Sequence, residues 1–115
     1  MEIVMARGDL VTKQFTIRAP DKTPYAEQLD EIYMTVKKSY NDHDYKFQKR
    51  LSDGGIINID SGKYQFSIQP EDTNSLPFGE YDFDIEVVKN GVLKKTFYGK
   101  LRLEKEVTHS YNEGA

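Results

Sequence analysis

The chain contains no cysteine, which excludes disulfides, thiolate catalysis and cysteine-ligated zinc. That absence leaves the compartment open, because cysteine-free domains also work outside cells. No apolar run approaches the roughly 20 residues that a membrane span needs. The N-terminus has no basic region followed by a long apolar stretch, so no signal peptide is visible. The expectation is synthesis in a cytoplasm without membrane insertion. Charge of a single sign is missing as well: 16 basic and 19 acidic residues are intermixed, for a net charge of −3. Phosphate neutralisation requires a basic stripe, so nucleic acid is not an expected partner. Gly54-Gly55 is not followed by the lysine and helix of a phosphate-binding loop. The two histidines, His43 and His109, lie far apart and give no support to a paired transition-metal site.

What is present is enough apolar material for one domain. At 115 residues, about two-thirds of the unfolded chain's surface can be buried, so an ordinary core suffices. A composition of 37% hydrophobic and 30% charged residues is too apolar for a disordered chain. Apolar residues recur with period two, the strand signal. Phe15, Ile17 and Ala19 alternate with Thr16 and Arg18, and Pro20 to Pro24 breaks the run. Ile32, Met34 and Val36 alternate with Tyr33, Thr35 and Lys37. Ser39 to Asp44 reads as a loop, Phe47 to Leu51 as a weaker strand and Ser52 to Gly55 as a turn. Ile56, Ile57 and Ile59 follow, then the turn Asp60 to Lys63. Tyr64, Phe66 and Ile68 form another alternating set, and Tyr81, Phe83, Ile85 and Val87 another still, leading through Asn90-Gly91 into Leu93 to Leu103. At most one helical turn is expected, near Pro70 to Leu76, started by Pro70 and stopped by Pro77. This pattern predicts an all-β sandwich of about seven to eight mostly antiparallel strands. It spans residues 1–106, with 107–115 as a loose tail.

The last hairpin invites a register. A two-residue Asn90-Gly91 loop would pair Val87 with Lys94 and put lysines on the apolar face. A three-residue loop, Lys89-Asn90-Gly91 with Gly91 left-handed, pairs Val87 with Leu93, Phe83 with Phe97 and Glu86 with Lys94. The second is preferred, with Lys95 on the apolar face as its cost.

No residue set carries a catalytic signature. Arg7-Gly8-Asp9 matches an adhesion tripeptide, but three residues match by chance too easily. It reads as a bend, with Gly8 supplying the backbone angle and Asp9 capping. Asn41-Asp42-His43-Asp44 fails calcium-loop spacing at Lys46 and reads as a solvated turn, with no metal expected. Asp82, Asp84 and Glu86 share one side of a strand; paired carboxylates can do acid–base work, but here they read as a charged outer face. Neither histidine has the context of a base for a serine nucleophile. The expectation is a non-enzyme without cofactor, and a small-molecule ligand is not anticipated. Eight tyrosines stand out. Tyr33 and Tyr98 fall on polar faces and Tyr40 and Tyr45 in a loop, positions that suit protein contacts or sugar stacking. Long charged neighbours covering them is the alternative.

Taken together, MARGD, QFTIRAPDKTPYAEQ, EIYMTVKKS, GKYQFSIQPEDTNSLPFGEYDFDIEVVKNG and LRLEKEVTH resemble the immunoglobulin-like N-terminal domain of siphophage baseplate upper proteins and related phage and prophage structural proteins. Gly79-Glu80-Tyr81 also looks like a tyrosine corner. The resemblance implies an immunoglobulin-like sandwich and a structural opening tripeptide. It also implies a component of the virion tail or baseplate, assembling with other phage structural proteins and with copies of itself. Family members continue into stalk regions, whereas the sequence ends soon after Val107-Thr108-His109, so a stand-alone tail, baseplate or head component is expected. Met5 reads as an alternative start, with Met1 to Met5 and the final tail reaching partners. A carbohydrate-binding sandwich using Tyr33, Tyr40, Tyr45 or Tyr98 is the alternative function.

Overall fold

The computed structural model describes residues 1–90 and 93–105. The element order is β1 (Glu2–Ala6), β2 (Val11–Thr16), β3 (Glu31–Lys37), β4 (Phe47–Arg50), β5 (Ile56–Asp60), β6 (Lys63–Ile68), α1 (Pro70–Thr73), β7 (Gly79–Lys89) and β8 (Leu93–Glu104). The strands form two sheets, one of order β1-β8-β7-β3-β4 and one of order β2-β6-β5. Every strand pair is antiparallel except β1 with β8. The runs β8-β7-β3-β4 and β2-β6-β5 correspond to the G-F-C-C′ and B-E-D orders of the immunoglobulin fold. The protein is an all-β, immunoglobulin-like sandwich.

Alternation builds the core directly. Ile32, Met34 and Val36 of β3, Tyr81, Phe83, Ile85 and Val87 of β7, and Phe66 and Ile68 of β6 are all essentially inaccessible to water. They meet between the sheets, as period-two side chains must when one face of each sheet is covered. Phe15 of β2 stacks on Tyr64 and tilts against Phe66, with ring centroids 5.8 and 6.1 Å apart. The helix is the single short turn expected, ending at Thr73 rather than Leu76. Its Asp72 carboxylate accepts the Gln69 backbone N–H and the Lys49 ammonium, tying the turn to β4. The tyrosine corner is formed: Gly79 enters β7 with φ of 132°, and the buried Tyr81 hydroxyl donates to the Pro77 carbonyl at 2.6 Å.

Three expectations need correction. Glu2–Ala6 is not an extension toward partners. It lies parallel to β8, pairing Glu2 with Lys100 through Ala6 with Glu104, and buries Ile3 and Met5. Second, neither anticipated hairpin register is adopted. Val87 pairs with Lys95, Phe83 with Gly99, and Glu86 with Thr96, while Lys94 faces Val88. This register sets Asp82 against Lys100 and Glu80 against Arg102. It also seats the Phe83 ring over Gly99, where a Cβ would fall 2.4 Å from Cζ. Only glycine leaves that space, so a slip by two residues would lose the fit, while exchanging these charge pairs for Glu80–Lys100 and Glu86–Lys94. Asn90 closes the β7 end, its N–H donating to Asp30. Gly91 and the expected left-handed turn lie outside the described residues, as does the tail 107–115. Third, the Asp9 carboxylate caps nothing among the described residues. The bend is closed by the Asp9 backbone N–H donating to the Ala6 carbonyl.

The opening tripeptide is tied inward. Gly8 has φ of 87°, left-handed backbone that favours glycine. Its N–H donates to the buried Thr73 hydroxyl at 2.8 Å. The Arg7 guanidinium donates to the Leu76 carbonyl and lies 4.0 Å from the Phe78 ring centroid.

Candidate functional site

The outward side of the five-stranded sheet is built from the residues that alternate with the core. Rungs run across it: Tyr33–Glu86–Thr96, Thr35–Asp84–Tyr98 and Lys37–Asp82–Lys100. β4 adds Gln48 beside Thr35 and Arg50 beside Tyr33. Side chains on such rungs lie close enough to interact directly. Gln48 donates to the Thr35 hydroxyl, and the Arg50 guanidinium covers the Tyr33 ring at 5.3 Å, a cation–π contact.

The loop after β3 folds back over this face. Asp42 organises it: its N–H donates to the Ser39 carbonyl, its carboxylate accepts the Ser39 N–H, and its carbonyl accepts the Lys37 ammonium. The turn carries Tyr40 onto the sheet. There its hydroxyl reaches the Phe83 and Gly99 carbonyls, 3.1 Å each, and its N–H donates to Asp82. Its ring meets Tyr98 edge-on with centroids 5.4 Å apart. Burial raises the Tyr40 pKa, with the Asp82 charge adding to it. Tyr40 is therefore a strut, though 42% exposed, and Tyr98, 64% exposed, is the more accessible member of the pair.

On the other side of the loop a groove of about 410 Å³ is lined by Tyr33, Thr35, Lys37, His43, Tyr45, Gln48, Asp84 and Glu86. Sequence reasoning had separated these residues into a solvated turn, a charged strand and scattered tyrosines. The fold brings Tyr33 and Tyr45 together with His43 and two of the three acids, while Tyr40 and Tyr98 stand apart. No local signal could have joined His43 to Asp84, since they meet only because the β3–β4 loop overhangs β7.

The three acids differ in circumstance. Asp82 is bonded to Lys100 and to the Tyr40 N–H, and that bond to Asp82 is the main reason the Lys100 pKa is raised. Asp84 is half-buried and has no hydrogen-bond or ion-pair partner among the described residues. Burial raises its pKa, the adjacent Glu86 raises it further, and Lys37 opposes them. A partly desolvated carboxylate beside a like charge is disfavoured in its ionised form. No cluster of three metal-ligating side chains occurs among the described residues. The groove can accept hydrogen bonds and a cation through Asp84 and Glu86, donate through Lys37 and Gln48, and offer the Tyr45 ring, 50% exposed, as a contact surface.

No helix among the described residues is long and apolar enough to cross a membrane. Compared with known protein-family models and curated proteins, the chain matches none.

Proposed function

We propose that this protein is a non-enzymatic assembly module, a structural component of a phage or prophage tail or baseplate. In this reading it engages other virion proteins through the outward face of its five-stranded sheet. The sequence resemblance supports the virion context. The observation that carries the contact is the unpaired Asp84–Glu86 carboxylate pair between the exposed rings of Tyr45 and Tyr98. Such a surface fits a partner loop that presents an arginine or lysine between apolar side chains. The new ion pair would be partly desolvated, and the tyrosines would bury large rigid area at little entropic cost.

Co-expression with the flanking virion genes, followed by purification of the complex, tests this. The wild-type chain should co-purify with a defined stoichiometry. The Asp84→Asn/Glu86→Gln variant should remain folded and lose the complex. A strictly monomeric wild type that binds none of those products would sink the proposal.

A second reading has one specific observation in its favour. Tyr33 and Tyr45 line the same groove as Asp84, Glu86, Lys37 and Gln48, an aromatic-plus-carboxylate arrangement that suits a sugar ring. Titration with cell-wall polysaccharide separates the two, because saturable binding abolished by Tyr45→Ala would favour the carbohydrate module.

A further inference from the structure

β8 is twelve residues long, but β1 covers only its second half, Lys100 to Glu104. The Lys100 N–H donates to the Met1 carbonyl, so even-numbered residues of β8 direct their backbone groups away from β7. Hydrogen-bonded and non-hydrogen-bonded pairs alternate along an antiparallel ladder, and β7–β8 runs without a register shift. The N–H and C=O groups of Lys94 and Thr96, and the N–H of Tyr98, therefore face an edge that no described strand occupies. Among the described residues the Tyr98 carbonyl is met by the Met1 ammonium at 3.4 Å.

Beside this edge the sandwich is open. β2 is the edge of the other sheet, and the space between the two edges is an apolar cleft of about 520 Å³ lined by Met1, Phe15, Ile85, Phe97 and the Thr96 and Tyr98 positions. Phe97 is on the inward face, opposite the buried Ile85, yet is 38% exposed. The inward faces next to the cleft carry lysines. Lys95 opposes buried Val87 and reaches across to the Arg18 carbonyl. Lys13 opposes buried Phe66, two residues from Phe15. Neither Lys13, Lys94 nor Lys95 has a carboxylate partner among the described residues.

We propose that this seam accepts an extended strand from a partner protein, pairing with the β8 edge from Lys94 to Tyr98. Three features specify the occupant. The backbone groups require an extended chain, since only a strand presents N–H and C=O at matching intervals. The cleft requires apolar side chains on alternate residues of that strand. The lysines require at least one carboxylate, and they disfavour a second copy of this chain, whose own edge is basic. The proposal rests on the assembly reading above and shares Tyr98 with the tyrosine–carboxylate face, but uses the backbone of that residue and the β8 edge instead of the outward rings and carboxylates.

The test is a titration of the isotope-labelled full chain with a short capped peptide in which valine alternates with glutamate. A peptide with lysine in place of glutamate serves as the control. Saturable shifts and slowed exchange at the Lys94, Thr96 and Tyr98 amides are expected, with the lysine peptide at least tenfold weaker. Thr96→Pro removes an edge-facing donor and leaves the β7 ladder intact, so this variant should fold and lose the response. Unchanged amides at that edge, equal binding of both peptides, or a wild-type dimer dissolved by Thr96→Pro would each overturn the proposal. If Thr96→Pro still co-purifies with virion proteins, the seam fails and the assembly reading stands. If Asp84→Asn/Glu86→Gln still co-purifies while the seam binds peptide, the outer-face contact fails instead.

Discussion

The two sheets turn very different faces to solvent. On the three-stranded sheet the outward residues of β2 and β6 complete each other: the Thr12 and Ser67 hydroxyls share a hydrogen bond at 2.8 Å, and Gln14 donates to Gln65 at 3.1 Å. These pairs are neutral, and beside them Ile57 and Ile59 of β5 remain exposed. The five-stranded sheet instead carries ion pairs at one end, Lys100–Asp82 and Arg102–Glu80, and in its middle Asp84 and Glu86, which have no ion-pair partner among the described residues. Tyr45 and Tyr98 stand exposed on either side. The small sheet thus leaves two isoleucines in solvent, and the large sheet leaves carboxylates and tyrosines there.

Several measurements would break or sharpen that contrast. The largest effects lie beneath both faces and should be alike. Phe83→Ala under the large sheet and Phe66→Ala under the small one should each cost about 3–5 kcal/mol in urea unfolding. A marked inequality would mean that the sheets differ in their packing as well as in their surfaces. Next, Tyr40→Phe deletes a hydroxyl that reaches two carbonyls of the large sheet, and a loss of about 0.5–1.5 kcal/mol is expected by the same assay. No loss would remove Tyr40 as a strut.

Asp84→Asn should act in the opposite direction. The Asp84 pKa is raised by burial and by Glu86 above its ordinary 3.8, so the protonated form favours the fold. That contribution is complete below the ordinary carboxylate value and disappears as pH rises through the folded-state value. At neutral pH the variant should therefore unfold at a slightly higher urea midpoint than the wild type, with the difference shrinking as the solution is acidified. A lower midpoint at pH 7 would show that the carboxylate is satisfied after all. The smallest effect belongs to the small sheet: Gln14→Ala/Gln65→Ala should stay within about 0.5 kcal/mol of wild type. It should also leave co-purification with virion proteins unchanged.

The sandwich itself was legible. The pattern located β3 to β8, and Gly79-Glu80-Tyr81 announced the corner that the Tyr81–Pro77 bond forms, but the first alternating run, Phe15 to Ala19, overlaps β2 only at Phe15 and Thr16. β1 was overlooked because Glu2 to Ala6 offers only two buried residues, Ile3 and Met5, too short a run to outweigh the adjoining bend. The hairpin register went astray for a subtler reason. Pairing Val87 with Leu93 or with Lys95 puts the same side chains on the same faces, since the two registers differ by two residues. Parity could not choose between them, nor could charge, since either register forms two opposite-charge pairs; the Phe83–Gly99 fit separates them. The groove was not legible either, because His43, Tyr45 and Asp84 lie in segments that only loop closure brings together.

From the order of its residues alone, the chain settled which side chains face inward and that two layers would enclose them, because period-two hydrophobicity is local and each strand carries it independently. Tertiary packing settled the rest: where β1 docks, which of the three acids finds a partner, and which half of β8 no other described strand covers. Those outcomes depend on how volumes and charges match across strands distant in sequence, and no single strand contains that information.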